Sequence, residues 1–332
     1  FKTEVHNDAT RQATKIITHQ TDTVLFDFLA RGLALSHRPF DAVELASGRL
    51  DPARTPLLWV MMEKQCDAAT QQKLVDYVLG GGKLVLAGRM CVQDFSGQPC
   101  TILKDALDLR QIEDDAPFTH NEINAFQYVD IPVSFMQTYT GSFDEVIASH
   151  DDGRVVGFIK SLGAGKVLVF GAAFGAFTLD DGDVVNQMAV KMDCPALFEM
   201  DEWADTRLSI GEQGSFLFVN NYQDDPIATV IRLDGDPLFG GNPVCLPARR
   251  GAILPLGWQL APDVRVDYAS AEIREVVHEG FTITLKAAQN EFDAGLTLRG
   301  YRCQGAEVVE KTAEGERVRL HAENGQIVLS RA

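Results

Sequence analysis

No run of eighteen apolar residues occurs in this 332-residue sequence, so none of it is long and greasy enough to cross a bilayer as a helix. Basic residues are scarce. Thirty Lys and Arg stand against 47 Asp and Glu, a net charge of −17 that would repel both a phosphate backbone and an anionic leaflet. Nucleic acid and membrane are therefore not expected partners. The six cysteines (Cys66, Cys91, Cys100, Cys194, Cys245, Cys303) show no CxxC spacing, and the seven histidines form neither HExxH nor a Cys/His cluster. The expectation is no metal, no cofactor, and a reducing, cytoplasmic compartment. GxSxG is also missing, which removes the nucleophile-elbow serine hydrolases. The chain begins at Phe1 rather than at methionine, so a leader would be out of sight.

The 28 glycines invite a search for phosphate cradles, and "QQKLVDYVLGGGKLVLAG" (71–88) is the first lure. A phosphate loop runs strand, glycines, helix. Here the helix comes first, with Asp67 as N-cap and Leu74, Val75, Val78 and Leu79 as its apolar stripe. Gly80, Gly81 and Gly82 then read as a helix stop, and "KLVLA" as a strand buried on both faces. "GAGK" (163–166) lacks the first glycine and the Ser/Thr of a Walker motif, and it leads into a strand, so it reads as a turn.

The rhythm of the chain changes near residue 198. Up to there, apolar strands alternate with helical stretches: a helix over most of Thr10 to Arg38, the strands "FDAVEL" (40–45) and "LLWVMM" (57–62), and the helix–strand pair of 71–88. A short helix is expected near Thr101 to Leu109, then three strands about the turns "DDGR" and "GAGK", then a helix over 178–192. This alternation predicts an α/β domain over 1–198 with a mostly parallel sheet covered on both faces. From 199 to 332, short strands and turns recur about every ten residues, the pattern of a β-sandwich or of two small β-domains, 199–273 and 274–332. Pro243, Pro247 and Pro255 suit edge strands and loops.

Candidate chemistry sits at the carboxyl edge of the expected sheet, where open α/β folds bind ligands. Glu63 follows the strand 57–62, and Arg89, Asp94 and Phe95 follow the strand 83–87. Two carboxylates there suit acid–base or hydrogen-bonding work, and Phe95 offers a stacking face for a sugar. Each also has a plain structural reading: Glu63 solvated, Asp94 ordering the "DFSG" turn. Cys91, four residues past the strand and without tight flanking glycines, reads as a packed thiol rather than a nucleophile. "NNYQDD" (220–225) offers oxygens for calcium but lacks EF-hand spacing. No set of residues amounts to a complete active site.

Several segments together carry a resemblance. "TEVHNDATRQ", "FLARGLAL", "RPFDAVEL", "LDPARTPLLWV", "ATQQKLVDYVLGGGKLVLAG" and "DFSGQPCTILKDAL" resemble the middle region of bacterial family-35 glycoside hydrolases, the β-galactosidases, which are related to those of family 42. "GSFLFVNNYQDDPIATVI", "LPARRGAILPL" and "VDYASAEI" resemble the β-rich region that follows. The resemblance implies a flavodoxin-like, class I glutamine-amidotransferase-like domain that mediates homo-oligomerisation, then small β-domains. It implies a preceding TIM barrel, absent here, that supplies both catalytic glutamates, so no residue of this chain inherits a catalytic role. The implied partners are a second copy of the chain and that barrel; the parent's implied substrate is a galactoside-type sugar. Loops at Phe1 to His6, Glu63 to Gln65 and Arg89 to Asp94 are the expected contributors to a neighbouring site. A free-standing amidotransferase-like enzyme using Cys91 or Glu63, or a carbohydrate-binding protein using Trp203, Trp258 or Tyr268, are the alternatives.

Overall fold

Residues 29–36, 50–115, 121–174 and 179–332 are described by the structure, a computed structural model. They fall into two units that divide between Ala196 and Leu197. The expected strand "FDAVEL" and the segment 1–28 lie outside the described residues; of the first expected helix, residues 29–35 are described and are helical.

The first unit starts from a three-stranded parallel core. β1 (Leu57–Met62) pairs in parallel with β2 (Lys83–Gly88). Between them lies α1 (Ala68–Leu79), capped as expected by Asp67, which accepts from the Thr70 backbone N–H at 2.8 Å. Gly81, at φ +101°, is the left-handed residue that ends it, one place beyond Gly80. Gly81 N–H reaches Val78 O and Gly82 N–H reaches Tyr77 O, both at 2.9 Å, which is a Schellman stop. The glycines close a helix rather than open one.

Then the pattern departs from expectation. After α2 (Ile102–Ala106), six strands precede the next parallel one: β3 (Leu109–Asp114), β4 (Asn121–Ala125), β5 (Tyr128–Val133), β6 (Phe135–Gly141), β7 (Glu145–Ser149) and β8 (Val155–Leu162). β9 (Gly165–Phe170) then returns beside β2 in parallel, and the short β10 (Ala172–Ala173) pairs with β6. The main path through the sheet runs β1-β2-β9-β8-β7-β4-β5, with β6 branching from β8 and carrying β3 and β10. Among the described strands, only the β1–β2 and β2–β9 pairings are parallel. The sheet is mixed and curled, which corrects the expected mostly parallel sheet. The reason lies in 109–133, where β3 ("LRQIED") and β5 ("YVDIPV") are largely exposed and β4 ("NEINA") buries only small or polar residues beside Ile123, so that they carry little hydrophobic signal.

Where the sheet is parallel, both faces are covered. Leu84 and Leu86 of β2 join Leu74, Val75 and Val78 of α1 in one core. Val85 and Ala87 turn to the other face, where α3 (Leu179–Lys191) contributes Val184, Val185 and Met188, and Leu29 and Leu33 join from the 29–35 helix. Period-two alternation along β2 thus feeds two cores.

The second unit is all β apart from turns. Its strands are β11 (Phe198–Met200), β12 (Asp205–Gly211), β13 (Gly214–Asn220), β14 (Ile227–Thr229), β15 (Ile231–Leu233) and β16 (Asp236–Pro237). There follow β17 (Val244–Leu246), β18 (Gly251–Ala261), β19 (Val264–Ala269), β20 (Ile273–Glu279) and β21 (Thr282–Ala287). The last are β22 (Phe292–Leu298), β23 (Tyr301–Cys303), β24 (Glu307–Thr312), β25 (Gly315–Ala322) and β26 (Gln326–Arg331). An antiparallel seven-stranded sheet, β12-β13-β18-β19-β22-β25-β24, spans it. The first strands of that sheet pack with β11, β14, β15 and β17 around Phe198, Leu217, Phe239 and Leu254. Its later strands pack with the four-stranded sheet β20-β21-β26-β23 around Val266, Leu285, Leu296 and Leu329. There are two cores, and β19 pairs with β22 across residue 273.

Pro255 lies on an internal strand, not an edge as expected. Its pairing with β13 is intact opposite Phe216, while the β18–β19 register ends at Leu256–Tyr268, so the proline stands just beyond that ladder. The "NNYQDD" stretch is a structural turn: the buried Asn221 donates its amide to Asp225 O at 2.8 Å and to Pro247 O at 3.1 Å.

Candidate functional site

β1 and β2 end together, and the chain beyond them stays in register. Arg89 N–H donates to Met62 O at 2.9 Å, Val92 N–H to Lys64 O at 2.9 Å and Cys66 N–H to Gln93 O at 2.8 Å. Side chains that follow the two strands are thereby set side by side at the carboxyl edge. Glu63 and Arg89, both singled out from sequence, meet there: Arg89 Nη1 lies 3.8 Å from Glu63 Oε2.

Two further groups complete the cluster. Arg89 Nε lies 3.6 Å from Asp114 Oδ1, and Lys64 Nζ contacts Asp114 Oδ2 at 2.6 Å. The guanidinium carbon sits 4.1 Å above the centre of the Phe135 ring, a cation–π stack. Arg89 is thus flanked by two carboxylates and stacked on an aromatic, with 21% of its side chain exposed. Both ion-pair contacts are longer than a hydrogen bond, so the planar fork keeps donor capacity for an acceptor arriving from solvent. Carboxylate or hydroxyl oxygens fit that fork best.

Beneath Arg89 is a buried polar hub. Gln137, 2% exposed, accepts at Oε1 from Met90 N–H at 2.6 Å and from Tyr139 Oη at 2.9 Å. Its Nε2 donates to Asp114 Oδ1 at 3.0 Å. Burial, and secondarily the Asp114 carboxylate, push the Tyr139 phenol far above its ordinary range, so Tyr139 stays a donor. Gln137 therefore fixes Asp114, which faces Arg89.

The other expected residues do different work. Asp94 Oδ1 accepts from Ser96 N–H at 2.8 Å and from Gln98 N–H at 2.9 Å, so its carboxylate orders the "DFSG" turn. Phe95 is half-buried in the same turn. Cys91 is fully buried, and a hydrogen bond to the Cys66 thiol together with desolvation pushes its thiol far up, the opposite of what a nucleophile needs. The loop Phe1 to His6 lies outside the described residues. Among the described residues, no group of three or more His, Cys, Asp or Glu is placed to hold a metal ion, and no helix is long and apolar enough to cross a membrane.

Lys64 lies within the expected loop Glu63 to Gln65; sequence reasoning missed Asp114, Phe135 and Gln137. Asp114 and Gln137 are partners in the β3–β6 register, so only a correct reading of those two strands would have brought them together.

With that geometry in place, comparison with known proteins is informative. Residues 8–145 match a family profile described as "GLMA-like, second domain". The chain is 27% identical over 209 residues to a β-1,2-glucosyltransferase of Ignavibacterium album, covering 61% of this chain and 29% of that protein. It is also 27% identical over 272 residues to an exo-β-D-glucosaminidase of Thermococcus kodakarensis, covering 76% of this chain and 33% of that protein. The chain therefore spans about a third of the length of these curated relatives. Among solved structures it shares its fold with a family-42 β-galactosidase of G. stearothermophilus (TM-score 0.58, 14% identity, 72% of this chain and 36% of that one). A β-galactosidase of Bacillus circulans sp. alkalophilus is similar to the same degree (TM-score 0.55, 14% identity, 72% and 38%).

Proposed function

We propose that this chain is a non-catalytic portion of a carbohydrate-processing enzyme of the glycoside hydrolase kind. The observation that carries this reading is the match of the chain to about a third of each of two carbohydrate-active relatives. The likeness of its fold to part of family-42 β-galactosidases adds to it. The chemistry of the site agrees. Retaining glycoside hydrolysis uses two carboxyl groups about 5 Å apart that flank a glycosidic bond. Here Glu63 and Asp114 both turn to one guanidinium, an arrangement that positions Arg89.

On this reading the parent protein supplies the catalytic carboxylates from a barrel outside this sequence. The Glu63–Arg89–Asp114 cluster then meets a sugar hydroxyl or a neighbouring backbone at the rim of that site. Membership in family 35, a galactoside as the parent's substrate, and assembly into homo-oligomers belong to the same proposal. Descent from a class I amidotransferase-like domain does too, and it draws support only from the parallel β1-β2-β9 core.

The test is made on the complete gene product. Galactoside, β-glucosaminide and β-1,2-glucoside turnover are measured with and without this region, and the purified chain is assayed alone. The expected result is turnover of one of these by the whole protein and by no shorter piece confined to this chain. Turnover by the isolated chain, or an intact gene encoding only this chain, would overturn the reading. Light scattering on the same samples checks assembly, and a monomer at all concentrations would remove the oligomerisation proposal.

A further inference from the structure

The β3–β6 ribbon has two faces of unlike chemistry. In its register Asp114 opposes Gln137 and Ile112 opposes Tyr139, and of these Asp114, Gln137 and Tyr139 belong to the buried hub described above. The alternate pairs, Glu113 with Thr138 and Gln111 with Thr140, lie on the other face. Across from that face stands the turn between β7 and β8, which carries Asp152 and Arg154. Between them runs an open groove of roughly 420 Å³, with Phe143 and Val155 on its apolar side. Its size falls within the range of small-molecule sites. Phe143 stacks on Phe158 with ring centres 4.3 Å apart, and Tyr139 meets Phe158 edge-on at 5.3 Å, so the apolar side is held firmly.

The charges of the groove are unequal in their pairing. Asp152 is neutralised: Arg154 Nε contacts it at 2.7 Å and His150 Nδ1 at 3.0 Å. Glu113 accepts a hydrogen bond from the Gln111 amide, and among the described residues no cation pairs with it. The groove thus offers hydroxyl and amide partners, an apolar wall and one carboxylate without a counter-charge.

We propose that this groove binds a short oligosaccharide that carries an amino group. Hydroxyls meet Gln111, Thr140 and Arg154, an apolar ring face lies along Phe143 and Val155, and the ammonium sits at Glu113. The polyhydroxylated class rests on the reading of the chain as part of a carbohydrate-processing protein; the preference for a cation rests on the groove itself. None of Glu63, Arg89 and Asp94 lines this groove, so it is separate from the cluster at the sheet edge.

The experiment uses the 332-residue chain, labelled for amide NMR, at mildly acidic pH. The probes are a β-1,4-linked glucosamine disaccharide, its N-acetylated counterpart and neutral galactobiose. Shift changes are expected at 111–113, 138–143 and 152–155. Glu113 is solvent-exposed, where ion pairs are weak, so the amino sugar should bind about three- to tenfold tighter than the two neutral sugars. Glu113→Gln should abolish that preference and leave the weaker binding intact. Arg154→Ala should weaken all three sugars together. Equal affinity for the three probes, absence of binding in the millimolar range, or shifts centred on Arg89 would each overturn the proposal. None of these outcomes bears on whether the parent enzyme needs this region for turnover, so the two readings fail separately.

Discussion

Replacing Gln137 by leucine tests the buried hub directly. The substitution keeps side-chain size and removes three hydrogen bonds, from Met90 N–H, from Tyr139 Oη and to Asp114. Met90 and Tyr139 are 1% and 2% exposed, so water does not readily replace the lost partner. A buried donor left without an acceptor costs about 1–3 kcal/mol, which for two donors gives a loss of about 2–4 kcal/mol after some apolar gain. With a urea slope of about 2 kcal/mol/M, the midpoint should fall by about 1–2 M. Tyr139→Phe alone leaves Gln137 still accepting from Met90, so it should cost only about 1 kcal/mol. The double variant should cost about 1 kcal/mol less than the sum, because the phenol orphaned by Gln137→Leu is no longer there. Urea unfolding with Trp59 fluorescence, in a background where Trp203 and Trp258 are phenylalanine, isolates the first unit. A Gln137→Leu loss below about 0.5 kcal/mol, the scatter of ordinary surface substitutions, would refute the reasoning, as would strict additivity.

Asp67→Ala removes the cap of α1 and should cost about 1 kcal/mol in the same unfolding assay. Gly165→Ala drives a Cβ into Gly82 O and Val78 O, both backbone, so it should lower the thermal midpoint far more than Gly211→Ala, whose Cβ meets only Gly214 O at 3.4 Å. His321, hydrogen-bonded to Asp293 at 3.0 Å, has its pKa raised by that bond and by the carboxylate charge. Its contribution to stability is fully present below the unfolded-state value, about 6.5, and is lost as pH rises through the folded-state one. A proton-NMR titration should show the raised value, and Asp293→Asn should bring it back down. Finally, a thiol reagent should label exposed Cys245 in the native protein, while buried Cys66 and Cys91 should react only on unfolding; native labelling of Cys91 would contradict its raised thiol pKa.

Sequence was most readable where local signals were strong and mutually consistent. Asp67, the glycine stop and the apolar run of β2 agree with one another and the structure keeps each of them, as it keeps Leu74, Val75 and Val78 of the α1 stripe, while Leu79 of that stripe is 45% exposed. The three strands around 145–170 were equally plain, because "DDGR" and "GAGK" mark their turns. The strands β3, β4, β5 and β6 were not legible. Val129 is 69% exposed, and positive-φ Asp130 and Phe126 break the strand rhythm, so neither alternation nor turn chemistry announces these hairpins. The site followed the same division. Glu63 and Arg89 were found because they end strands that were recognised. Asp114 and Gln137 were not, since their meeting depends on pairing between strands 23 residues apart. Asp94 shows the converse, a carboxylate whose role lies within its own turn.

The pairing of β19 with β22 bears on how this protein can be taken apart. A chain cut after residue 273 would keep β19 without its neighbour and leave a full row of strand amides and carbonyls open at the rim of the sheet. Val264, Val266 and Ala269, fully buried in the whole protein, would lie bare beside that row. Such an edge is a template for strand addition from another molecule. The excised half should therefore come out of cells as aggregate, and a soluble fragment of this unit must carry both strands.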